Sequence, residues 1–242
     1  MDNYGLIGKN INYSFSKDYF TKKFTKEEIA AAYQNFDLDE IGGLFEIIRT
    51  EKLKGFNVTI PFKEKVIAFL DEIDAEAEKI GAVNTVKITN GKLIGYNTDS
   101  FGFVKSVFPL LEKQHRKALV LGTGGASKAI AHGLHGLGIQ FEFVSRSPTE
   151  KGFTYEQLSQ KIIAEHLLII NCTPLGTFPK IEENPKIPYQ FLGKKHLLFD
   201  LVYNPPLSKF LAKGKQQGAT ICNGQKMLQF QAEKAWEIWR AK

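Results

Sequence analysis

The chain has 242 residues, with 32 Lys and Arg against 26 Asp and Glu, a net charge of +6. A hydrophobic share of 43% and a charged share of 24% are ordinary for a globular protein and exclude a disordered, collagenous or disulfide-scaffold chain. No apolar run approaches the roughly 18–20 residues of a membrane helix, the N-terminal MDNYGLIGKNINYSFSKDYF lacks the basic start and apolar core of a secretory signal, and the small basic excess is scattered among acids. The expected class is therefore a cytoplasmic enzyme acting on a small molecule, with neither membrane nor nucleic acid as partner. Cys172 and Cys222 belong to no CxxC pair, so no metal site is expected.

In chain order, Tyr4-Gly-Leu-Ile-Gly8 reads as a short strand. Thr25 to Phe36 reads as a helix, with Thr25 as cap and Glu28 completing a capping box. Gly43 to Lys52 is a second amphipathic helix. Gly55 to Ile60 is a strand ended by Pro61, which suits the first turn of a following helix, PFKEKVIAFLDEI. Asp74 to Ile80 is a short helix. Asn84 to Lys87 and Leu93 to Tyr96 are strands joined by Asn90-Gly91, a strong hairpin signal.

From Lys117 the rhythm becomes regular α/β. Ala118-Leu-Val-Leu, Phe141-Glu-Phe-Val, Leu167-Leu-Ile-Ile-Asn, Leu197-Leu-Phe-Asp-Leu and Thr220-Ile-Cys read as strands. The continuous apolar runs among them suit a parallel sheet covered on both faces. A helix follows the first of them, Lys128 to Leu137. A final helix, Lys226 to Arg240, carries Leu228, Ala232, Ala235, Trp236 and Trp239 along one side. The expected fold is α/β: a mixed α/β N-terminal unit, residues 1–100 with 225–242, and a Rossmann-like doubly wound unit, residues 101–224.

Gly122-Thr-Gly-Gly-Ala-Ser127 ends a strand and opens a helix. Glycines let the backbone approach a pyrophosphate, and the helix N-terminus offers free N–H groups. Ser127 replaces the third glycine of the GxGxxG pattern, and an ordinary strand-to-helix turn reads the same way. Counting about 20 residues on reaches Glu142, the position of a ribose-binding acid in NAD enzymes. Glu142 falls inside a strand, however, and the strand tip is Ser145-Arg146-Ser147. A guanidinium suits a 2′-phosphate, so NADP is preferred over NAD.

Several polar side chains of the first half stand at strand ends or turns. Alternation would point Ser14 and Ser16 the same way, and Asn57 and Thr59 likewise. Lys63 follows, then Asn84, and Asp99 ends Gly95-Tyr-Asn-Thr-Asp. Each alone also suits a cap, a turn or a solvated surface. Together they suit a small polyhydroxylated acid, with a Lys–Asp pair for acid–base work.

Asn57-Val-Thr-Ile-Pro-Phe-Lys63, Gly81-Ala-Val-Asn-Thr85, Gly95-Tyr-Asn-Thr-Asp99, Gly122-Thr-Gly-Gly-Ala126, Asn171-Cys-Thr-Pro-Leu-Gly176, Asp200-Leu-Val-Tyr-Asn-Pro205 and Met227-Leu-Gln-Phe-Gln231 occur in this order. The set resembles the shikimate dehydrogenases, NADP-dependent enzymes of aromatic amino-acid biosynthesis, along essentially the whole chain. The resemblance implies reversible reduction of 3-dehydroshikimate to shikimate, with Lys63 and Asp99 as the catalytic pair. It implies that Ser14 and Ser16 bind the substrate carboxylate, and that Asn57, Thr59, Asn84, Asp99 and Gln231 hold ring hydroxyls. Tyr203 would lie near substrate and nicotinamide. Gly122, Gly124, Gly125 and Ala126 would cradle the pyrophosphate, Arg146 would meet the 2′-phosphate, and Gly224 would approach the nicotinamide through its backbone. The final helix would return to the N-terminal domain.

The chain departs from the family pattern at Tyr13 and Lys17, where His and Pro are usual, and at Glu150, where a second basic residue is usual and only Lys151 can substitute. A differently shaped carboxylate pocket and a weaker preference for NADP are expected. The competing readings are a dehydrogenase of dual quinate and shikimate specificity, and a dinucleotide-binding regulatory protein without catalysis. Intact Lys63 and Asp99 argue against the second. A monomer or homodimer fits either enzyme.

Overall fold

A computed structural model describes residues 1–11, 14–148 and 152–241. The chain separates into two units, Met1–Phe101 with Leu228–Lys242, and Gly102–Met227. The α/β class expected from the hydrophobic pattern holds in both.

The first unit contains β1 (Asp2–Gly8), α1 (Phe15–Lys26), β2 (Ala31–Asp37), α2 (Leu44–Glu51), β3 (Leu53–Val58), β4 (Glu72–Ile73), α3 (Ala75–Ile80), β5 (Thr85–Thr89) and β6 (Lys92–Tyr96). Its sheet runs β2-β1-β3-β5-β6-β4. Strands β2, β1 and β3 are parallel, while β3, β5 and β6 are antiparallel neighbours. Asn90 and Gly91, both at positive φ, turn the β5–β6 hairpin. One face buries Ile7, Leu44, Phe56, Phe62 and Val66. The other buries Tyr4, Phe20, Phe24, Tyr33, Trp236 and Trp239. Each large side chain so buried contributes about 1.5–3 kcal/mol relative to exposure. A Cβ on Gly55 would lie 2.4 Å from Trp239 Nε1, so glycine there admits the indole onto the sheet, where Nε1 donates to Val86 O at 2.9 Å.

Three local expectations fail in this unit. The helix expected over Thr25–Phe36 is instead the end of α1, a turn and β2. Glu28 adopts φ 53°, which ends the helical path, and seven residues from Ala31 to Asp37 pair in register with Asp2 to Gly8. Pairing along a whole strand outweighs the few tenths of a kcal/mol per residue by which alanine favours a helix. The helix expected after Pro61 is a 3₁₀ segment, Lys65–Phe69, followed by β4, because Glu72 and Ile73 pair with β6; Ile60–Pro61 is a cis peptide. Ser14 and Ser16 do not alternate on an extended segment: Ser14 caps α1 and Ser16 is buried in its first turn.

The second unit holds β7 (Lys117–Leu121), α5 (Gly125–Gly136), β8 (Gln140–Ser145), β9 (Phe153–Thr154), α6 (Gln160–Glu165), β10 (Leu168–Asn171), β11 (Leu197–Asp200), α7 (Lys209–Gln216) and β12 (Thr220–Cys222), with α4 (Asp99–Val107) before them and α8 (Gln225–Arg240) after. The unit boundaries fall inside α4 and α8. The sheet is wholly parallel, in the order β12-β11-β10-β7-β8-β9. That is the doubly wound dinucleotide-binding order, which reverses between β7 and β10. Ala118 and Val120 face one core while Leu119 and Leu121 face the other, which explains the unbroken apolar runs. Among the described residues no helix is long and apolar enough to cross a membrane.

Candidate active site

In the first unit five of the polar residues singled out from the sequence, Lys63, Asp99, Asn84, Asn57 and Gln231, meet near the ends of β3 and β6. Lys63 lies in the turn after Pro61, where its carbonyl accepts from Val83 N at 2.8 Å. Its Nζ meets Asp99 Oδ2 at 2.5 Å, and the two side chains are only 15% and 8% exposed. Asp99 is the first residue of α4 rather than the end of a strand; Asn97 Oδ1 accepts from its N–H at 3.0 Å and from that of Ser100 at 3.3 Å, fixing the turn. Asn84 Nδ2 donates to Asp99 Oδ1 at 2.9 Å, so both carboxylate oxygens are engaged. A desolvated ion pair of this kind is held by geometry: removing either member leaves a buried charge uncompensated.

Around the pair, Asn84 Oδ1 accepts from Thr98 N at 2.7 Å. Gln231 Oε1, brought by α8, accepts from Asn84 Nδ2 at 3.4 Å and faces Thr98 Oγ1 at 3.3 Å. Asn57, 3% exposed, donates from Nδ2 to Asn84 O at 3.2 Å and Thr85 Oγ1 at 3.0 Å. Thr59 follows β3, half-buried, with its N–H on Ile7 O at 2.9 Å. Lys63, Asp99, Asn84, Asn57 and Gln231 thus form one hydrogen-bonded cluster. Among the described residues Ser14 is not hydrogen-bonded to this cluster; its hydroxyl accepts from the backbone N–H of the exposed Lys17 at 3.5 Å. Tyr13 lies outside the described residues.

The second unit supplies the glycine turn. Gly122 has φ 104°, where an L side chain is strained, and a Cβ there would press on Thr173 from the loop after β10. The turn therefore sits at the point where strand order reverses. Gly124 caps α5 with no atom within 4 Å of where a Cβ would stand. Beyond it Gly125, Ala126 and Ser127 form the first helical turn, whose N–H groups have no partner within the helix. Open space at Gly124 before a 12-residue helix fits a pyrophosphate. Ser127 is buried beneath the turn.

Arg146 stands exposed just beyond β8. Its charge reaches Tyr155, whose phenol is pushed up to about 12 by burial, with Arg146 opposing. Glu142 is engaged elsewhere: His166 Nε2 meets its carboxylate at 2.5 Å. Glu142 lies within β8, with one carboxylate oxygen on His166, whereas Arg146 stands at the strand tip. Glu150 and Lys151 lie outside the described residues. Tyr203 is half-buried in the loop after β11. Gly224 N–H donates to Val202 O at 3.1 Å, and a Cβ on Gly224 would stand 2.2 Å from Leu201 O, so only glycine fits there.

Residues 6–86 match the family model described as "Shikimate dehydrogenase substrate binding domain". A Shikimate dehydrogenase (NADP(+)) of Clostridium botulinum is 39% identical across 97% of this chain and 95% of its own length. The chain belongs to the shikimate dehydrogenase family. A crystal structure of shikimate dehydrogenase from Aquifex aeolicus superposes with a TM-score of 0.90 at 34% identity, covering 99% of this chain and 92% of that one. Another, from Thermus thermophilus in complex with NADP(H) and shikimate, gives 0.87 at 28% identity over 99% and 94%.

Within this member of the shikimate dehydrogenases, sequence reasoning missed three kinds of residue. Tyr33 was hidden by the helix reading of its segment, yet its hydroxyl donates to Asn57 Oδ1 at 2.8 Å. Thr85 and Thr98 read as ordinary strand and turn threonines, yet both are fully buried in the polar cluster. Asp200 reads in the sequence only as the start of Asp200-Leu-Val-Tyr-Asn-Pro205. It is fully buried, and its carboxylate accepts from Asn171 Nδ2 at 2.9 Å, Val202 N at 3.0 Å and the Ser208 hydroxyl. Burial raises its pKa to about 6, although those three donors pull the other way. An acid at the end of an apolar parallel strand, followed by a serine eight residues on, was the available signal.

Proposed function

We propose that this chain reversibly reduces 3-dehydroshikimate to shikimate with NADPH, with Lys63 and Asp99 as its acid–base pair. The observation that carries the reading is the 2.5 Å Lys63–Asp99 contact, buried among carboxamides and hydroxyls. The family relationship, NADP-dependent in its named relatives, supports it, and neither dual specificity nor loss of catalysis is favoured.

Bound NADPH supplies the hydride to the ketone carbon. The Lys63 ammonium polarises the ketone oxygen and delivers its proton, and Asp99 orients Lys63 while accepting from a substrate hydroxyl. Positioned groups of this kind contribute about 10²–10⁴-fold. Ser14 and Ser16 take the substrate carboxylate. Asn57, Thr59, Asn84 and Gln231 hold the ring hydroxyls, and Tyr203 serves the same substrate. Gly122, Gly124, Gly125 and Ala126 hold the pyrophosphate, Arg146 the 2′-phosphate, and the Gly224 backbone the nicotinamide. Residues 1–100 with 225–242 accordingly serve as substrate domain and 101–224 as NADP domain, in a cytoplasmic monomer or homodimer.

The test crosses shikimate and quinate with NADP and NAD, following nicotinamide reduction by its near-ultraviolet absorbance. Rapid reduction with shikimate and NADP alone is expected. Equal rates with quinate or NAD would overturn the specificity, and no turnover in any combination, in a folded protein that binds NADPH, would overturn the catalytic reading.

A further inference from the structure

Asn57 is held by an unambiguous set of partners. Asn84 O can only accept, so the Asn57 amide must present Nδ2 to it, at 3.2 Å. Nδ2 also donates to Thr85 Oγ1 at 3.0 Å. Its Oδ1 therefore faces Tyr33, and the phenol must donate across the 2.8 Å contact. Tyr33 is 4% exposed and stacked on Phe20 at 4.7 Å and 17°, so its ring has little freedom. Its one hydroxyl proton is thereby committed to the Asn57 carboxamide.

The bonds then run in one direction. Tyr33 gives to Asn57, Asn57 to Thr85, Thr85 Oγ1 to Asn84 Oδ1 at 3.2 Å, and Asn84 Nδ2 to Asp99. We propose that Tyr33 is a positioning residue for substrate recognition: its hydroxyl fixes the Asn57 carboxamide, so that it acts on a residue that holds the ring hydroxyls. Tyr33 itself touches no substrate. The inference rests on the substrate role given above to Asn57.

Replacing Tyr33 by Phe keeps the ring stack and removes the donor, leaving Asn57 Oδ1 buried without a partner. For Y33F the expected result is a rise of about tenfold in KM for shikimate, with KM for NADP within twofold of wild type and kcat within threefold. A purely structural tyrosine would instead lower the melting temperature and leave the KM for shikimate unchanged, and that result would overturn the proposal. N57A and Y33F/N57A complete a cycle. If Tyr33 acts through Asn57, the double variant has a KM close to that of N57A; independent multiplication of the two effects would count against the relay. Should Y33F fail to fold, N57A can still overturn the proposal: an unchanged KM for shikimate would remove the residue through which Tyr33 is said to act. A wild-type protein without shikimate turnover would sink the functional reading instead, so the two failures are distinguishable.

Discussion

Two buried aspartates, one in each unit, are held in opposite ways. Asp99 is 5% exposed and faces a cation, Lys63, with a carboxamide on its second oxygen. Asp200 has no exposure and, among the described residues, its donors are all neutral: Asn171, the Val202 N–H and Ser208. The difference teaches what a buried carboxylate is for. With an ammonium beside it, Asp99 forms the buried ion pair to which the proposed reading gives the acid–base work. Without one, Asp200 takes its pKa of about 6 from burial and serves as a clasp, joining the loops that leave β10 and β11.

The largest effect that sharpens this contrast is expected at Asp99. Asp99→Asn keeps the shape but leaves Lys63 without its counter-charge, and turnover should fall about 10²–10⁴-fold in a steady-state assay. Turnover within threefold of wild type would erase the distinction between the two acids.

Next comes Asp200, where the effect is on stability. Its folded pKa of about 6 lies above the ordinary 3.8, so the folded state disfavours the ionised form. The contribution is fully present below the unfolded pKa and is lost as pH rises through the folded one. The loss between about pH 3 and pH 7.5 amounts to about 3 kcal/mol. Asp200→Asn cannot ionise, so its denaturation midpoint should lack that part of the slope and exceed wild type at neutral pH. Identical pH profiles for the two proteins would break the comparison.

Ser208→Ala should act more weakly. Ser208 both donates to Asp200 and caps α7, accepting from Leu211 N at 3.3 Å. The variant should lose about 2 kcal/mol at pH 7.5 and about 1 at pH 4.5, where Asp200 is largely protonated and the cap dominates. Equal losses at both pH values would show that the serine does nothing for the carboxylate.

The two units also differ in how far their sequence foretold them. In the second unit, burial on both faces writes itself as unbroken apolar runs such as Leu167-Leu-Ile-Ile170, and the glycine turn follows its strand directly. In the first unit, β2 carries alanines that favour a helix in isolation, and only pairing with β1 makes it a strand. Local propensity cannot report a partner 29 residues away in the register Asp2↔Ala31. The site shows the same division. Lys63, Asp99, Asn84, Asn57 and Gln231 were legible because their residue types suit the chemistry and stand at turns or in quoted motifs. Tyr33, Thr85 and Thr98 were not, since nothing about a lone tyrosine or threonine says which buried amide it will orient. Ser14 was legible as a polar residue, but its place as a helix cap depends on α1, which the pattern did not show.

The central claim is that Lys63 does chemistry rather than merely bind. The most direct measurement compares Lys63→Met with wild type, pairing kcat for shikimate oxidation by NADP with the shikimate dissociation constant from calorimetry. The account predicts a kcat at least about 100-fold lower with a dissociation constant changed by no more than about fivefold. A kcat close to wild type, or a loss confined to binding, would contradict it.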